Sequence, residues 1–328
     1  MTDFLTLLIT TRCNYKCRHC LREYPAIHHD LPLALVNKAI TEAREMGFKH
    51  IAITGGEPVL HPRFNDIIAL IAGMGFQWSI VSNGSLYKEY DAAIDNYKDK
   101  LKIFLISIDG GTEVTHDAIR QKGSFRKVCE AARYYKVKGI FVMLIYTLTA
   151  LNFNEVPQFV QISLDLKVDG IKVAATIPTG YNKDLQVSWL QKVLVYQYLQ
   201  GMRKENLPLV ISNTTSLYTV KDADKFCSNI NEHDPVINAY GDYVFCCDTI
   251  GQGAVLGSLK KEKFSQLYIK GQETGAWIRE ERRKRILNKD FFKDFNSCHF
   301  CNLLLADKVK KQKEYCRENQ LISNEDKI

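Results

Sequence analysis

No stretch of the 328 residues reaches the roughly 18 consecutive apolar positions that a membrane-crossing helix needs. The best apolar run, residues 140–151, falls short and is broken by Thr147 and Thr149. The opening Met1-Thr2-Asp3-Phe4 has neither the basic start nor the small-residue cleavage site of a secretory signal. Internal repeats and low-complexity linkers are also missing. These absences argue against a spanning helix and a solenoid, and they predict a cytoplasmic chain with no membrane partner. Nor is there an excess of one charge: 44 basic and 37 acidic residues leave only +7. Such a balance suits an anionic partner without demanding one. Much of the excess sits in two runs, 279–285 and 308–313, which read as solvated helix faces, so no nucleic acid is expected. With 46% hydrophobic and 25% charged residues, disordered and collagen-like classes are excluded.

What the chain does have is ten cysteines. In a reducing compartment, clustered cysteines point to metal binding or catalysis more than to disulfides. Over the first two thirds, β-branched apolar runs alternate with amphipathic stretches. Strands are predicted over 4–10, 50–54, 77–82, 102–108, 140–147 and 170–174, and helices over 33–46, 63–72, 87–97, 125–135 and 154–166. Gly47, Gly73 and Gly139 stand where left-handed helix caps fall. Six strand–helix units predict an α/β fold with a parallel sheet and helices outside it. Six is too few for a closed eight-stranded barrel, so an open, partial (β/α)6 barrel is expected over residues 1–207. The pattern then changes. Residues 208–328 read as a smaller α+β unit with a short strand at 209–211 and a hairpin turning at Tyr240-Gly241-Asp242. Helices follow near 267–287 and 305–319.

Cys13-Asn-Tyr-Lys-Cys17-Arg-His-Cys20 directly follows the first strand. Three thiols on one loop can converge on one centre. A structural zinc wants a fourth protein ligand, which His19 or His28 could provide. An iron–sulfur cluster with one iron left for a non-protein ligand fits three thiolates better. The C-x3-C-x2-C loop after the first strand of a partial barrel resembles the radical S-adenosylmethionine (radical SAM) superfamily, although His19 stands where an aromatic residue usually precedes the third cysteine. The resemblance implies that Cys13, Cys17 and Cys20 hold a [4Fe–4S] cluster whose free iron chelates SAM. It implies too that Gly55-Gly56-Glu57 binds the SAM amino group. Ser107 and Arg120 would hold the carboxylate, with Ser82 or Asn83 near the ribose or methionine part. Polar groups at strand ends also form the crevice where open α/β sheets bind ligands.

Cys227, thirteen residues, Gly241, four residues and Cys246 resemble the opening of SPASM and twitch domains, and Cys298-His-Phe-Cys301 adds a C-x2-C pair. Four thiolates, from a hairpin and a distant loop, can close a second, auxiliary [4Fe–4S] cluster, and a four-thiolate zinc fits nearly as well. Only Cys316 remains beyond Cys301, so a twitch-like domain with one auxiliary cluster is expected. Cys129 reads as buried core. Cys247, beside a ligand candidate, resembles the hydrogen-atom donor of radical SAM epimerases, including peptide epimerases with a similar Gly-x4-Cys-Cys. It could equally be an alternate ligand or a packing residue.

The family chemistry implied is reductive cleavage of SAM to a 5′-deoxyadenosyl radical that abstracts a substrate hydrogen, with electrons from a flavodoxin- or ferredoxin-type donor. Two substrate classes compete: a ribosomally made peptide, and a small molecule such as a sugar, aminoglycoside or nucleotide. No peptide-recognition segment stands before Phe4, which favours a small substrate or a separate binding partner. A non-catalytic metal-binding or electron-transfer protein would leave Gly55-Gly56-Glu57 and the polar strand ends unexplained.

Overall fold

The computed structural model describes residues 3–21, 27–179, 182–217, 227–252, 255–287 and 296–318. Seven parallel strands cross the sheet in chain order: β1 (Phe4–Leu8), β2 (His50–Thr54), β3 (Gln77–Ser82), β4 (Leu101–Ser107), β5 (Val142–Leu148), β6 (Gly170–Ala175) and β7 (Val210–Asn213). Seven helices join them: α1 (Leu33–Glu45), α2 (Phe64–Gly73), α3 (Asp91–Tyr97), α4 (Glu113–Ile119), α5 (Ser124–Val137), α6 (Val156–Asp165) and α7 (Trp189–Met202). Crossovers between parallel strands are right-handed, so an order that never reverses puts every helix on one face.

The burial pattern identifies that face. Leu5, Leu7, Ile51, Ile53, Trp78, Ile80, Phe104, Ile106, Val142, Leu144, Ile171 and Val173 all belong to one apolar cluster with the helices. Side chains alternate along a strand, so Thr6, Ala52, Ser79, Ile145 and Lys172 line the opposite face. The result is an open α/β partial barrel. Its strand ends present polar side chains at one mouth.

The C-terminal segment extends the same sheet. β8 (Val236–Ile237) pairs parallel with the free edge of β1, and β9 (Asp242–Val244) and β10 (Val255–Ser258) continue antiparallel. The expected hairpin turns at Gly241, which takes φ +82, and Asn238 Oδ1 accepts from the backbone N–H groups of Tyr240 and Asp242. α8 (Ser228–Asn231), α9 (Phe264–Leu287) and α10 (Ser297–Glu318) complete the order.

Three expectations are revised. α10 starts eight residues before the expected 305, so Cys298 and Cys301 stand on its first turns and not on a loop. The left-handed position after α2 is Gly75 (φ +81), one residue beyond the Met74 cap, and Gly73 stays helical; Gly47 and Gly139 do adopt positive φ. α4 and α7 were not foreseen. Among the described residues no helix is long and apolar enough to cross a membrane.

α1 fastens the C-terminal segment to the barrel. The Phe264 N–H, first in α9, donates to the Glu42 carboxylate at 2.6 Å. Lys38 Nζ donates to the carbonyls of Leu259 and Glu262 at 2.6 and 2.8 Å. A carboxylate at a helix N-terminus satisfies an orphan donor and meets the positive end of the helix dipole. Glu42→Ala should therefore lower unfolding stability by about 1 kcal/mol, the usual cost of losing a cap. Denaturant unfolding at fixed slope measures this, and an unchanged midpoint would show the contact carries no stability.

Candidate functional site

The cysteine loop is tied down on several sides. Arg12 pairs with Asp30 at 2.9 Å, and Thr10 Oγ1 donates to the same carboxylate at 2.5 Å. Asn14 Nδ2 donates to Ser85 Oγ at 2.8 Å, and Asn83 Nδ2 donates to Asn14 Oδ1 at 2.9 Å, which joins the loop to the end of β3. The Arg18 N–H donates to the Ile119 carbonyl of α4 at 3.0 Å. Cys17 is buried, and Cys13 and Cys20 are half-buried.

Gly55 and Gly56 let the end of β2 lie against this loop. The Gly56 and Glu57 N–H groups donate to the Thr10 and Arg12 carbonyls, both at 2.7 Å. A Cβ on Gly56 would meet the Arg12 oxygen at 2.0 Å, and one on Gly55 would meet the Thr10 oxygen at 2.5 Å. Gly55 also takes φ +146, open to Gly alone without strain. The Glu57 carboxylate, fully buried, is committed inside the protein. It accepts from Ser82 Oγ (2.6 Å), from the Asn83 N–H (2.8 Å) and from the Tyr90 hydroxyl. Burial raises its pKa, against those hydrogen bonds. The side chain thus ties β2 to β3, and it is the glycine backbone that meets the loop. Ser82 is likewise engaged, donating to Glu57 and accepting from the Gly84 N–H at 3.0 Å.

Arg120 and Ser107 differ from Ser82. Arg120 Nε donates to Asp109, and Nη1 lies 3.9 Å from the Cys17 sulfur. The Ser107 hydroxyl, at the end of β4, makes no hydrogen bond among the described residues. Asp109 is the residue that sequence reasoning passed over, although it stands in the Ser107-Ile-Asp-Gly run. It accepts from His19 Nε2 at 2.6 Å and from the Thr147 N–H at 2.8 Å as well as from Arg120. Burial alone would raise its pKa, but the Arg120 guanidinium and the His19 ring hold it well below the carboxylate range. Burial pushes the Cys17 thiol up to about 12, and Arg120 opposes this. An incoming metal centre needs thiolates, so Arg120 favours the form that ligates.

The C-terminal cysteines converge too. Cys227, Cys246, Cys298 and Cys301 line one partly enclosed pocket with Asn229, Ile230, Phe245, Asp248, Thr249 and Ser297. Burial raises the Cys227 and Cys301 thiols, the latter to about 12. Hydrogen bonding to Cys247, then burial, raises Cys246. Cys247 packs on Leu8, Val236 and Val244, at the edge where β8 joins β1. Cys129 is buried on α5, as expected, and the side chain of Cys316 lies outside the described residues.

The donor sets discriminate between one ion and a cluster. A tetrahedral zinc with bonds of about 2.3 Å needs sulfurs about 3.8 Å apart. Among the described residues, the sole group of three His, Cys, Asp or Glu ligand atoms mutually within 4.8 Å is Cys246, Cys247 and Asp248. Neither the N-terminal trio nor the four-thiol pocket is drawn that tight, and His19 is engaged by Asp109. Three thiols on one loop and four around one pocket are donor sets that a multi-iron group could use. Gly56→Ala should then push the cysteine loop off its seat. The expected result is reduced iron retention after anaerobic reconstitution, with the circular dichroism of the fold kept; full retention would show the close approach is not needed.

Residues 7–162 match the sequence profile described as the radical SAM superfamily. The chain is 31% identical over 164 residues to the antilisterial bacteriocin subtilosin biosynthesis protein AlbA of Bacillus subtilis, covering 49% of this chain and 36% of AlbA. It is 26% identical to the GTP 3′,8-cyclase of Campylobacter fetus across 95% of this chain and 92% of the cyclase. In fold it is similar to Streptococcus suis SuiB bound to precursor peptide SuiA, with TM-score 0.69 at 15% identity over 82% of this chain and 64% of SuiB. The chain spans about a third of AlbA and under two thirds of SuiB. Enzymes of the matched superfamily use SAM and a [4Fe–4S] cluster. With that profile seated on a partial barrel whose first loop carries three cysteines, residues 7–162 form a radical SAM domain.

Proposed function

We propose that this enzyme modifies a ribosomally synthesised peptide, with Cys13, Cys17 and Cys20 holding the SAM-binding [4Fe–4S] cluster in residues 1–207. Cys227, Cys246, Cys298 and Cys301 would hold an auxiliary cluster in residues 208–328, a twitch/SPASM-like unit. Loaded with cluster and SAM, the first site supplies the carbon radical that takes a hydrogen atom from the substrate. The chain's own residues prepare that step. Arg120, fixed by Asp109, and the uncommitted Ser107 hydroxyl are placed to bind the SAM carboxylate. The Gly55-Gly56 backbone presents the strand end toward the amino group, and Asn83 stands beside it at the end of β3.

The observation that carries the reading is the second set of thiols. Four of them line one pocket, and a fifth, Cys247, packs against Leu8 at the end of β1. Leu8 lies outside the helix-side apolar cluster that holds Leu5 and Leu7, so Cys247 sits on the open side of the sheet. A thiol there can give its hydrogen atom to a substrate carbon radical. The S–H bond breaks, a C–H bond forms, and the sulfur radical then needs one electron and one proton. A flavodoxin- or ferredoxin-type donor would provide the electron through the auxiliary cluster. Hydrogen return to the opposite face of the abstracted carbon inverts it, which is epimerisation. The relatives named for subtilosin and for precursor peptide SuiA support the peptide class.

A second reading, a nucleotide substrate, is favoured by one observation: the GTP 3′,8-cyclase match runs nearly the full length of both chains.

Anaerobic reconstitution should give about eight irons per chain, and the C13A/C17A/C20A variant about four. A wild-type value near four, or zinc in place of iron, would remove the second cluster. Cys247→Ala should still cleave SAM but fail to complete product. In wild type, solvent deuterium should enter one product carbon; a product without label would exclude thiol quenching.

A further inference from the structure

α9 and α10 pack side by side through Ile278, Leu304 and Leu305, which form a small apolar cluster with Ile230, Phe245 and Cys301. Trp277, Phe300, Cys227 and Cys246 lie against the same cluster. Three of the four pocket thiols therefore share one apolar neighbourhood with two half-buried aromatic rings. Each ring carries a cation over its face. Lys308 Nζ stands 4.8 Å from the Trp277 ring centroid, and the Arg285 guanidinium carbon 5.5 Å from that of Phe300. Such a ring attracts the cation while the charged head stays toward water. Within the run 279–285 only Arg282 is fully buried. The other basic side chains on these stretches, Arg279, Arg283, Lys284, Arg285, Lys308 and Lys310, are exposed or half-buried, against three acids, Glu280, Glu281 and Asp307. Lys284 pairs with Glu281 at 3.0 Å, and a net positive charge remains over the stretches. Leu303, 54% exposed, stands on α10 one turn after Phe300.

We propose that this face of α9 and α10, centred on Arg285, Leu303 and Lys308, docks the protein that delivers electrons, a small one-electron carrier with an acidic surface around its redox group. This rests on the auxiliary-cluster reading made above. Electron transfer between proteins needs a short path. The face offers one, because Trp277 and Phe300 reach from the cations to the apolar cluster that holds Cys301 and touches Cys227 and Cys246. A carrier must also arrive quickly, orient and leave. Complementary charge steers encounter and fixes orientation more than it adds affinity, which suits repeated turnover. An exposed apolar residue within a charged rim is the usual make-up of a protein contact surface. The acids interspersed among the basic groups suit a folded acidic partner, whose charges can be placed to match, better than a uniformly charged polyanion.

The test titrates the anaerobically reconstituted full chain with two acidic carriers, an oxidised plant-type ferredoxin and an oxidised flavodoxin, by calorimetry at low and at raised salt. At least one carrier should bind, and raised salt should weaken it. The charge-reversal variant R285E/K308E should weaken that binding roughly tenfold or more, and the neutral variant R285Q/K308Q by less. The Michaelis constant for the reduced carrier in SAM cleavage should rise in step, while cleavage driven by dithionite, a small reductant that needs no docking, stays at the wild-type rate. Failure of wild type to bind either carrier overturns the proposal, as does binding that ignores both salt and charge reversal. So does a reversal that weakens an acidic peptide or an RNA probe and leaves the carriers unaffected, because the face would then belong to another partner. Should R285E/K308E lose iron, R285Q/K308Q and the salt dependence of wild type decide by the same criteria. Failure of the auxiliary-cluster reading looks different: wild type would hold near four irons, whatever the carriers bind.

Discussion

Two backbone hydrogen bonds, from Gly56 and Glu57 at the end of β2 to the Thr10 and Arg12 carbonyls, govern the geometry of the mouth that carries the first cysteine loop. They fix how near the cysteine loop lies to the strand ends, and they form only because position 56 has no Cβ to strike Arg12. The neighbouring constraints follow. Glu57, carried just past the glycines, turns its carboxylate inward to Ser82, Asn83 and Tyr90 and so locks β2 to β3. Asn83 in turn reaches back to Asn14 on the loop. The polar residues at the mouth are therefore one connected framework, and a shift in the loop would be felt at three strand ends.

The barrel was largely legible because buried parallel strands advertise themselves. The predicted bounds of β2 and β3 match the structure, since both are short apolar runs bracketed by charged or glycine-containing turns. The helices that escaped are instructive. α4, with the sequence Glu-Val-Thr-His-Asp-Ala-Ile, leaves Val114 80% exposed, so its apolar spacing gives no clean stripe. α7 carries apolar residues all round, with Leu190 and Leu194 exposed while Lys192 is buried, which blurs the helical period. The early start of α10 was hidden because Cys298 and Cys301 were read as loop ligands.

The site was legible in its glycines and cysteines and opaque in its partners. A motif names residues that lie close in sequence, but Asp109 meets His19 across 90 positions, and no local pattern encodes that contact. Glu57 shows the converse. An acid after two glycines suggests a ligand contact, yet a carboxylate with three internal donors has little left to offer an outside ammonium group. The part of that motif able to meet a ligand is backbone, which sequence reports only through the absence of side chains.

The first cysteine loop has a buried arginine at its side. Arg120 Nη1 lies 3.9 Å from the Cys17 sulfur. Arg120 brings its own carboxylate. Asp109 bonds to it directly, so the pair adds little net charge there. A carboxylate orients a guanidinium and offsets its charge at once. The pair thus keeps the guanidinium in place beside the Cys17 thiol without leaving an uncompensated positive charge at the mouth of the sheet.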